Sequence, residues 1–176
     1  MKKKIIIFSG DPNSVNSEII YKSWKKLSTS LKKKIYIISN YNLLQKQFKK
    51  LKLSIKMENL KNNNLDTNNS NLKIINVDLK FKKPFLVPRK SSSIFVNNSL
   101  ELAHKIALKK NIKGFVNCAI NKRLLDKNKT GVTEYLAKKC KVYDDSEVMM
   151  IRNNKLAVCP ITTHIDIKDI SKKLTI

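Results

Sequence analysis

The residues with the most chemistry to offer lie near the end of the sequence. Leu156 to Ile161, LAVCPI, is a short apolar run that stops at Thr162-Thr163-His164, and IDIKDISKKL follows at once. Such a run reads as a buried strand, with Asp166 capping a helix whose Ile167, Ile170 and Leu174 share one face. His164 then stands at the carboxyl end of a core strand, on the loop into a helix, where open α/β sheets bind their ligands. A neutral imidazole in that place can bind a divalent metal, titrate near neutrality, or donate a hydrogen bond to a loop carbonyl. Position alone leaves all three open. Lys122, delivered with Asn121 by the strand KGFVNCA, can pair with a phosphate or carboxylate. Thr133 and Glu134 open the helix TEYLAKKC, where a threonine N-cap and an acidic first turn are a sufficient structural explanation for both. Arg89 and Lys90 beside Ser91 to Ser93 can grip a phosphate, although a solvated loop has the same composition. His104, among lysines and aliphatics, reads as a structural or surface histidine.

The elements that must position these groups alternate between strand and helix. Lys4 to Ser9, KIIIFS, is a β-branched run ending in Gly10-Asp11-Pro12, hence a buried strand feeding a tight turn. Ile20, Trp24, Leu27 and Leu31 follow at helical spacing, KIYIIS over 34–39 repeats the strand, and Leu44, Phe48 and Leu51 mark a second amphipathic helix. Two βα units in succession point to a parallel sheet covered by helices. Leu53 to Met57 reads as a short further strand, Asn59 to Asn71 as an asparagine-rich surface insertion, and Leu72 to Leu79 as another strand. Phe81 to Ser93, with two prolines and a serine triplet, reads as an extended loop. The helix expected after it runs from Ile94 to Lys110, with Leu102, Ala103, Ile106 and Ala107 facing inward. Glu147 to Arg152, Asn153-Asn154 and Lys155 to Ile161 read as a hairpin that adds antiparallel strands to the sheet. The expected fold is therefore α/β, a mostly parallel, mixed sheet with helices on both faces.

A chain of 176 residues is the size of one domain with a real core, so residues 1–176 are expected to form a single α/β domain. Cys118, Cys140 and Cys159 are odd in number and widely spaced, which favours reduced, packed thiols in a cytoplasmic protein. The apolar part of MKKKIIIFSGDP is too short for a signal peptide, and no stretch approaches membrane-spanning length. The formal charge of +24 invites a nucleic-acid reading. Against it, the charge is nearly all lysine, only Arg89, Arg123 and Arg152 being arginine, and it is spread over every segment with no aromatic ladder between. Loose attraction to polyanions is expected, and no specific nucleic-acid partner. With only Gly10, Gly114 and Gly131 in the chain, neither GxGxxG nor a Walker loop is present.

Four short motifs occur in a recognisable order: SGDPNSVNSEII, VNCAINKRLL, GVTEYLA and EVMMIRNNKLAVCPITTHIDIKDI. In sequence and spacing they resemble the 4-hydroxythreonine-4-phosphate dehydrogenase family of vitamin B6 biosynthesis, whose patterns run as GDPxGIGPEI, TxPINK, GHTE with a helix, and VMM with a strand ending TTH. The resemblance covers the chain nearly from end to end. It implies NAD-dependent oxidation of the secondary alcohol of 4-phosphooxy-threonine, then loss of carbon dioxide, on the route to pyridoxal 5'-phosphate. It also implies a divalent metal (zinc, magnesium or cobalt), a phosphorylated small-molecule substrate and a homodimer. By the same resemblance His164 matches a metal-binding histidine and Thr133 a substrate-binding threonine. The fold implied is that of isocitrate and isopropylmalate dehydrogenases, this chain corresponding to the first lobe and the N-terminal part of a two-lobed enzyme, with some apolar surface left uncovered.

The sequence departs from the family pattern in places. Val132 stands where the family has the histidine of GHTE, Val15-Asn16-Ser17-Glu18 replaces GIGPE, and Ala119 replaces the proline of TxPINK. The alternative expectation is a non-catalytic remnant or interaction domain that keeps the fold.

Overall fold

The computed structural model describes residues 3–60, 64–125, 131–142, 147–161 and 166–173. The chain divides into two compact units, residues 1–130 and residues 131–176.

The first unit is built on five parallel strands, β1 (Lys4–Phe8), β2 (Ile35–Ser39), β3 (Met57–Leu60), β4 (Leu72–Asn76) and β5 (Ile112–Asn117), in the order β3-β4-β2-β1-β5. β2 lies in the middle, and all five of its residues are buried. This is why its sequence is a continuous β-branched and aromatic run and does not alternate. Helices α1 (Asn16–Lys26) and α3 (Tyr41–Lys50) set Ile20, Trp24, Leu44 and Phe48 on one face, against Ile35, Ile37, Leu72 and Ile74. Side chains alternate along a strand, so Tyr36 and Ile38 go to the other face. Helix α4 (Arg89–Ala107) packs against β1, β2 and β5, its Phe95 ring tilted on Phe8 with centroids 6.3 Å apart. The expected α/β class, with a mostly parallel sheet and helices on both faces, is what the structure has.

Several local expectations are corrected. The helical spacing carried through Leu31, but α1 stops at Lys26 because Leu27 turns extended (ψ 143°), and Ser28 caps a separate turn, α2 (Thr29–Lys32), by accepting from the Leu31 amide at 3.3 Å. The strand expected over 53–57 begins at Met57. With Pro88 as its cap, α4 starts at Arg89, five residues before the expected helix, so Ser91 to Ser93 lie in its first two turns, and Ser92, Phe95, Val96, Ser99, Leu100, Ala103 and Ile106 are its buried stripe. Proline fits at a helix start, where its missing N–H costs nothing. The later part of the asparagine-rich insertion is docked: Leu65 is buried, and the Tyr36 hydroxyl donates to the carbonyls of Leu65 and of Thr67.

Lys73 is the one wholly buried cation among the described residues. Its ammonium donates to the carbonyls of Lys32 (3.0 Å), Lys33 (2.8 Å) and Asn69 (3.3 Å) and lies 4.4 Å from the centre of the Tyr36 ring. Those contacts occupy all three ammonium protons and make the burial tolerable.

The second unit holds α5 (Val132–Lys139), a two-stranded antiparallel sheet of β6 (Ile151–Arg152) and β7 (Ala157–Val158), and α6 (Ile170–Lys173) preceded by a 3₁₀ turn at Ile167–Asp169. The hairpin turn is as expected: the Asn153 side chain accepts from the amides of Lys155 and Leu156, both at 2.8 Å. Its strands, however, form their own small sheet and do not extend the parallel one. The expected burial of LAVCPI is also corrected, since Leu156, Val158 and Ile161 are exposed, as are Met149, Met150 and Ile151. An apolar run shows that cover is wanted, not what provides it. Among the described residues no helix is long and apolar enough to cross a membrane.

Candidate active site

The sheet order reverses direction about β1: β2, β4 and β3 lie to one side and β5 to the other. In an open α/β sheet the crevice forms outside the carboxyl ends of the strands at this reversal. Here it is bounded by the loop after β1, Ser9 to Val15, and the exit of β5, Cys118 to Asn121.

Side-chain amides hold this rim together. The Asp11 amide donates to the Ala119 carbonyl at 3.0 Å, and Asn16 Nδ2 donates to the same oxygen at 2.7 Å. Gly10, at φ +74°, lets the two loops close: a Cβ there would meet the Ala119 oxygen and lie 2.5 Å from Asn16 Nδ2. Asn13 reaches the loop before α4, donating to the Val87 carbonyl at 2.9 Å and accepting from the Val87 amide at 2.8 Å. Gln47 Nε2 donates to the carbonyls of Pro12 (2.8 Å) and Pro84 (2.7 Å). Asn40 caps α3 by accepting from Leu43 and donates to the Val77 carbonyl at 2.8 Å. Each brace satisfies a loop carbonyl or amide that burial would otherwise strand. These bonds tie the loops after β1, β4 and β5 to one another. Asn16 Oδ1 and Ser17 Oγ are buried within this rim with no protein partner.

Beyond Ala119 the chain makes the 3₁₀ turn Lys122–Leu124, capped by Asn121 Oδ1 accepting from the Arg123 amide at 3.0 Å. Lys122 is exposed. Arg89 and Lys90 lie in the first turn of α4, and Arg89 donates to the Arg123 carbonyl at 3.4 Å. Cys118 is half-buried and burial pushes its thiol up, so it is not a reactive thiolate. The expectation of packed thiols holds for Cys118 only, because Cys140 and Cys159 are exposed.

In the second unit Thr133 lies in the first turn of α5 with its side chain exposed. It does not cap the helix: Gly131 holds that position and makes no side-chain cap bond, so the structural explanation offered for Thr133 fails. Asp166 precedes the 3₁₀ turn without a side-chain cap bond. His164 lies outside the described residues, as do Thr162 and Thr163. Among the described residues no three of His, Cys, Asp and Glu gather to hold a metal, so they do not by themselves fit a divalent cation. They likewise include no glycine-rich loop of the kind that cradles a dinucleotide.

A separate hollow of about 430 Å³ opens at the amino ends of β1 and β2, lined by Lys4, Lys34, Tyr36, Asp66 and Thr67 and spanned by the Lys4–Asp66 ion pair at 2.9 Å. It lies at the wrong end of the strands for the ligand crevice of this class of fold.

The sequence missed the amide braces. One signal was available: Gln47 follows Leu43 and Leu44 on the buried stripe of α3, and Asn16 precedes Ile20 by one turn, so both put a polar group where the pattern calls for an apolar one.

Residues 30–176 match the model of a protein family described as "Pyridoxal phosphate biosynthetic protein PdxA". The chain is 29% identical over 180 residues to a 4-hydroxythreonine-4-phosphate dehydrogenase of Sulfurihydrogenibium sp. (strain YO3AOP1), covering 98% of this chain and 53% of that relative. It is 30% identical over 174 residues to the enzyme of the same name from Aquifex aeolicus (strain VF5), covering 97% and 52%. Solved structures under that name share the fold: that from Klebsiella pneumoniae has a TM-score of 0.80 at 20% identity, covering 98% of this chain and 55% of the other. That from Burkholderia phymatum has 0.70 at 21%, covering 98% and 53%. The chain spans about half the length of the curated relatives it matches.

Proposed function

The chain belongs to the PdxA family of pyridoxal phosphate biosynthetic proteins, and from that premise we propose that it takes part in the NAD-dependent oxidation and decarboxylation of 4-phosphooxy-threonine. The observation that carries the reading is the family match over 30–176, which takes in Asn121-Lys122, Thr133-Glu134 and Thr162 to His164.

In this reaction a hydride passes from the carbinol carbon to NAD⁺ while the hydroxyl proton leaves to a base. The β-keto acid so formed then releases its carboxylate as carbon dioxide, and the electron pair is taken up by the new ketone. A divalent cation at the hydroxyl would ease its deprotonation and polarise the ketone. His164 is the one ligand this chain is proposed to give it. Catalytic metals normally have about three protein ligands, so His164 would share the ion with other donors, a second copy in a homodimer included. Thr133, exposed and free of a capping role, is available to hold substrate through its hydroxyl. The braced loops after β1 and β5 keep Asn121 and Lys122 fixed at the rim, and Lys122 there offers an ammonium to an anionic substrate. Val132 can neither donate a hydrogen bond nor carry charge, so the contact that the family's histidine makes in GHTE is lost, and weaker substrate binding follows.

The test is an assay of the purified chain with NAD, 4-phosphooxy-threonine and zinc or magnesium. NADH and carbon dioxide released in equal amounts support the reading. No NADH with either metal, and no metal-dependent rise in melting temperature, would overturn it in favour of the non-catalytic remnant.

A further inference from the structure

The loop between β4 and α4 carries a second feature, separate from the braced rim. It borders an open, shallow hollow of about 460 Å³ lined by Lys80, Lys82, Lys83 and Ser91, with Phe81 and Leu86 as its apolar part. Among the described residues no carboxylate lines it. Lys46 stands beside that apolar part, its ammonium 5.2 Å from the centre of the Phe81 ring. The loop is held before any ligand arrives: Gln47 donates to Pro84, and Asn13 makes two bonds with Val87. A preformed loop loses little entropy on binding.

We infer that this hollow binds a small phosphate ester, its phosphate among the ammonium groups of Lys80, Lys82 and Lys83 and its apolar body against Phe81 and Leu86. Three like charges around one cavity repel one another when it is empty, and a dianion relieves that repulsion. The volume is far larger than one phosphate, and Leu86, 69% exposed, would be covered by the organic part of the ligand. Ser91 lines the same hollow and brings a hydroxyl that can donate to a phosphate oxygen. Lysines are abundant everywhere on this chain, so a cluster of them alone would mean little. What sets this one apart is the apolar part set among the charges and the hydrogen bonds that hold the loop.

The inference does not depend on the dehydrogenase reading, because binding is measured without turnover. The probes are phenyl phosphate and inorganic phosphate, titrated into the full chain at physiological ionic strength with amide NMR shifts as the readout. Phenyl phosphate should shift the amides of residues 80–91 and bind about tenfold more tightly than inorganic phosphate. The triple variant Lys80→Ala, Lys82→Ala, Lys83→Ala should weaken phenyl phosphate about tenfold or more, whereas the charge-matched triple Lys25→Ala, Lys26→Ala, Lys49→Ala should change it less than about threefold. Equal loss in both triples means diffuse attraction to a basic surface and overturns the assignment. Shifts spread over the molecule do the same. Vesicles containing phosphatidylserine form the last arm: capture that needs the three lysines, with no phenyl phosphate binding, would give the loop to a lipid surface and overturn the small-ligand site.

Discussion

Asn16, the first residue of α1, donates its side-chain amide to the carbonyl of Ala119 at 2.7 Å, across 103 residues of sequence. The bond ties the loop after β1 to the exit of β5, and so fixes where Asn121 and Lys122 begin. Asn16 is 2% exposed, so water cannot readily replace the amide. Asn16→Ala should destabilise the first unit by about 1–3 kcal/mol, the usual cost of a buried hydrogen bond left unmade. Urea denaturation measures it, and an unchanged midpoint with an unchanged slope would show that the brace does not hold the loops.

Gly10 makes the same closure possible by having no side chain. At φ +74° an L-residue is already strained, and its Cβ would press on the Ala119 oxygen, a backbone atom with little room to yield. Gly10→Ala should therefore cost more than Asn16→Ala, about 3 kcal/mol or more in the same denaturation experiment. A loss below that of Asn16→Ala would mean that the loops can part freely.

Lys73 carries a pH signature. Burial is the main cause that brings its pKa down to about 8 from 10.5; Glu58 raises it and Lys4 lowers it, both less strongly. Below pH 8 the folded and unfolded chains both hold the proton. Between about 8 and 10.5 the unfolded chain holds more of it, so stability rises with pH over that window, and the contribution is lost as pH falls back through 8. Many other lysines titrate toward the top of this range. The comparison is therefore with Lys73→Met, whose stability should lack that increment. Parallel stability curves for the two proteins between pH 8 and 10 would show that Lys73 titrates normally.

The inner strands β2 and β4 were legible in the sequence because they are buried on both faces. KIYIIS at 34–39 predicts a strand and the structure has one at Ile35–Ser39, since a run of β-branched residues has no other stable use in an α/β chain. The start of α4 was not legible. Three serines after Pro88 look like a loop; in the structure they are helical, with Ser92 buried and Ser93 donating to the Leu124 carbonyl at 2.7 Å. The braces at Asn13, Asn16 and Gln47 were hidden for a related reason: their partners are 74, 103 and 35 residues away, and local pattern says nothing about long-range pairing. The hairpin turn at Asn153 was legible, whereas the cover for its apolar strands was not, because apolar composition carries no address.

The most direct measurement is the initial rate of NADH formation by the wild-type chain and by His164→Ala, with NAD, 4-phosphooxy-threonine and saturating zinc or magnesium. The account predicts metal-dependent NADH formation by the wild type and its loss, by at least about a hundredfold, in His164→Ala at unchanged melting temperature without metal. Equal rates in the two proteins would contradict the place given to His164, and no NADH from the wild type with either metal would contradict the dehydrogenase itself.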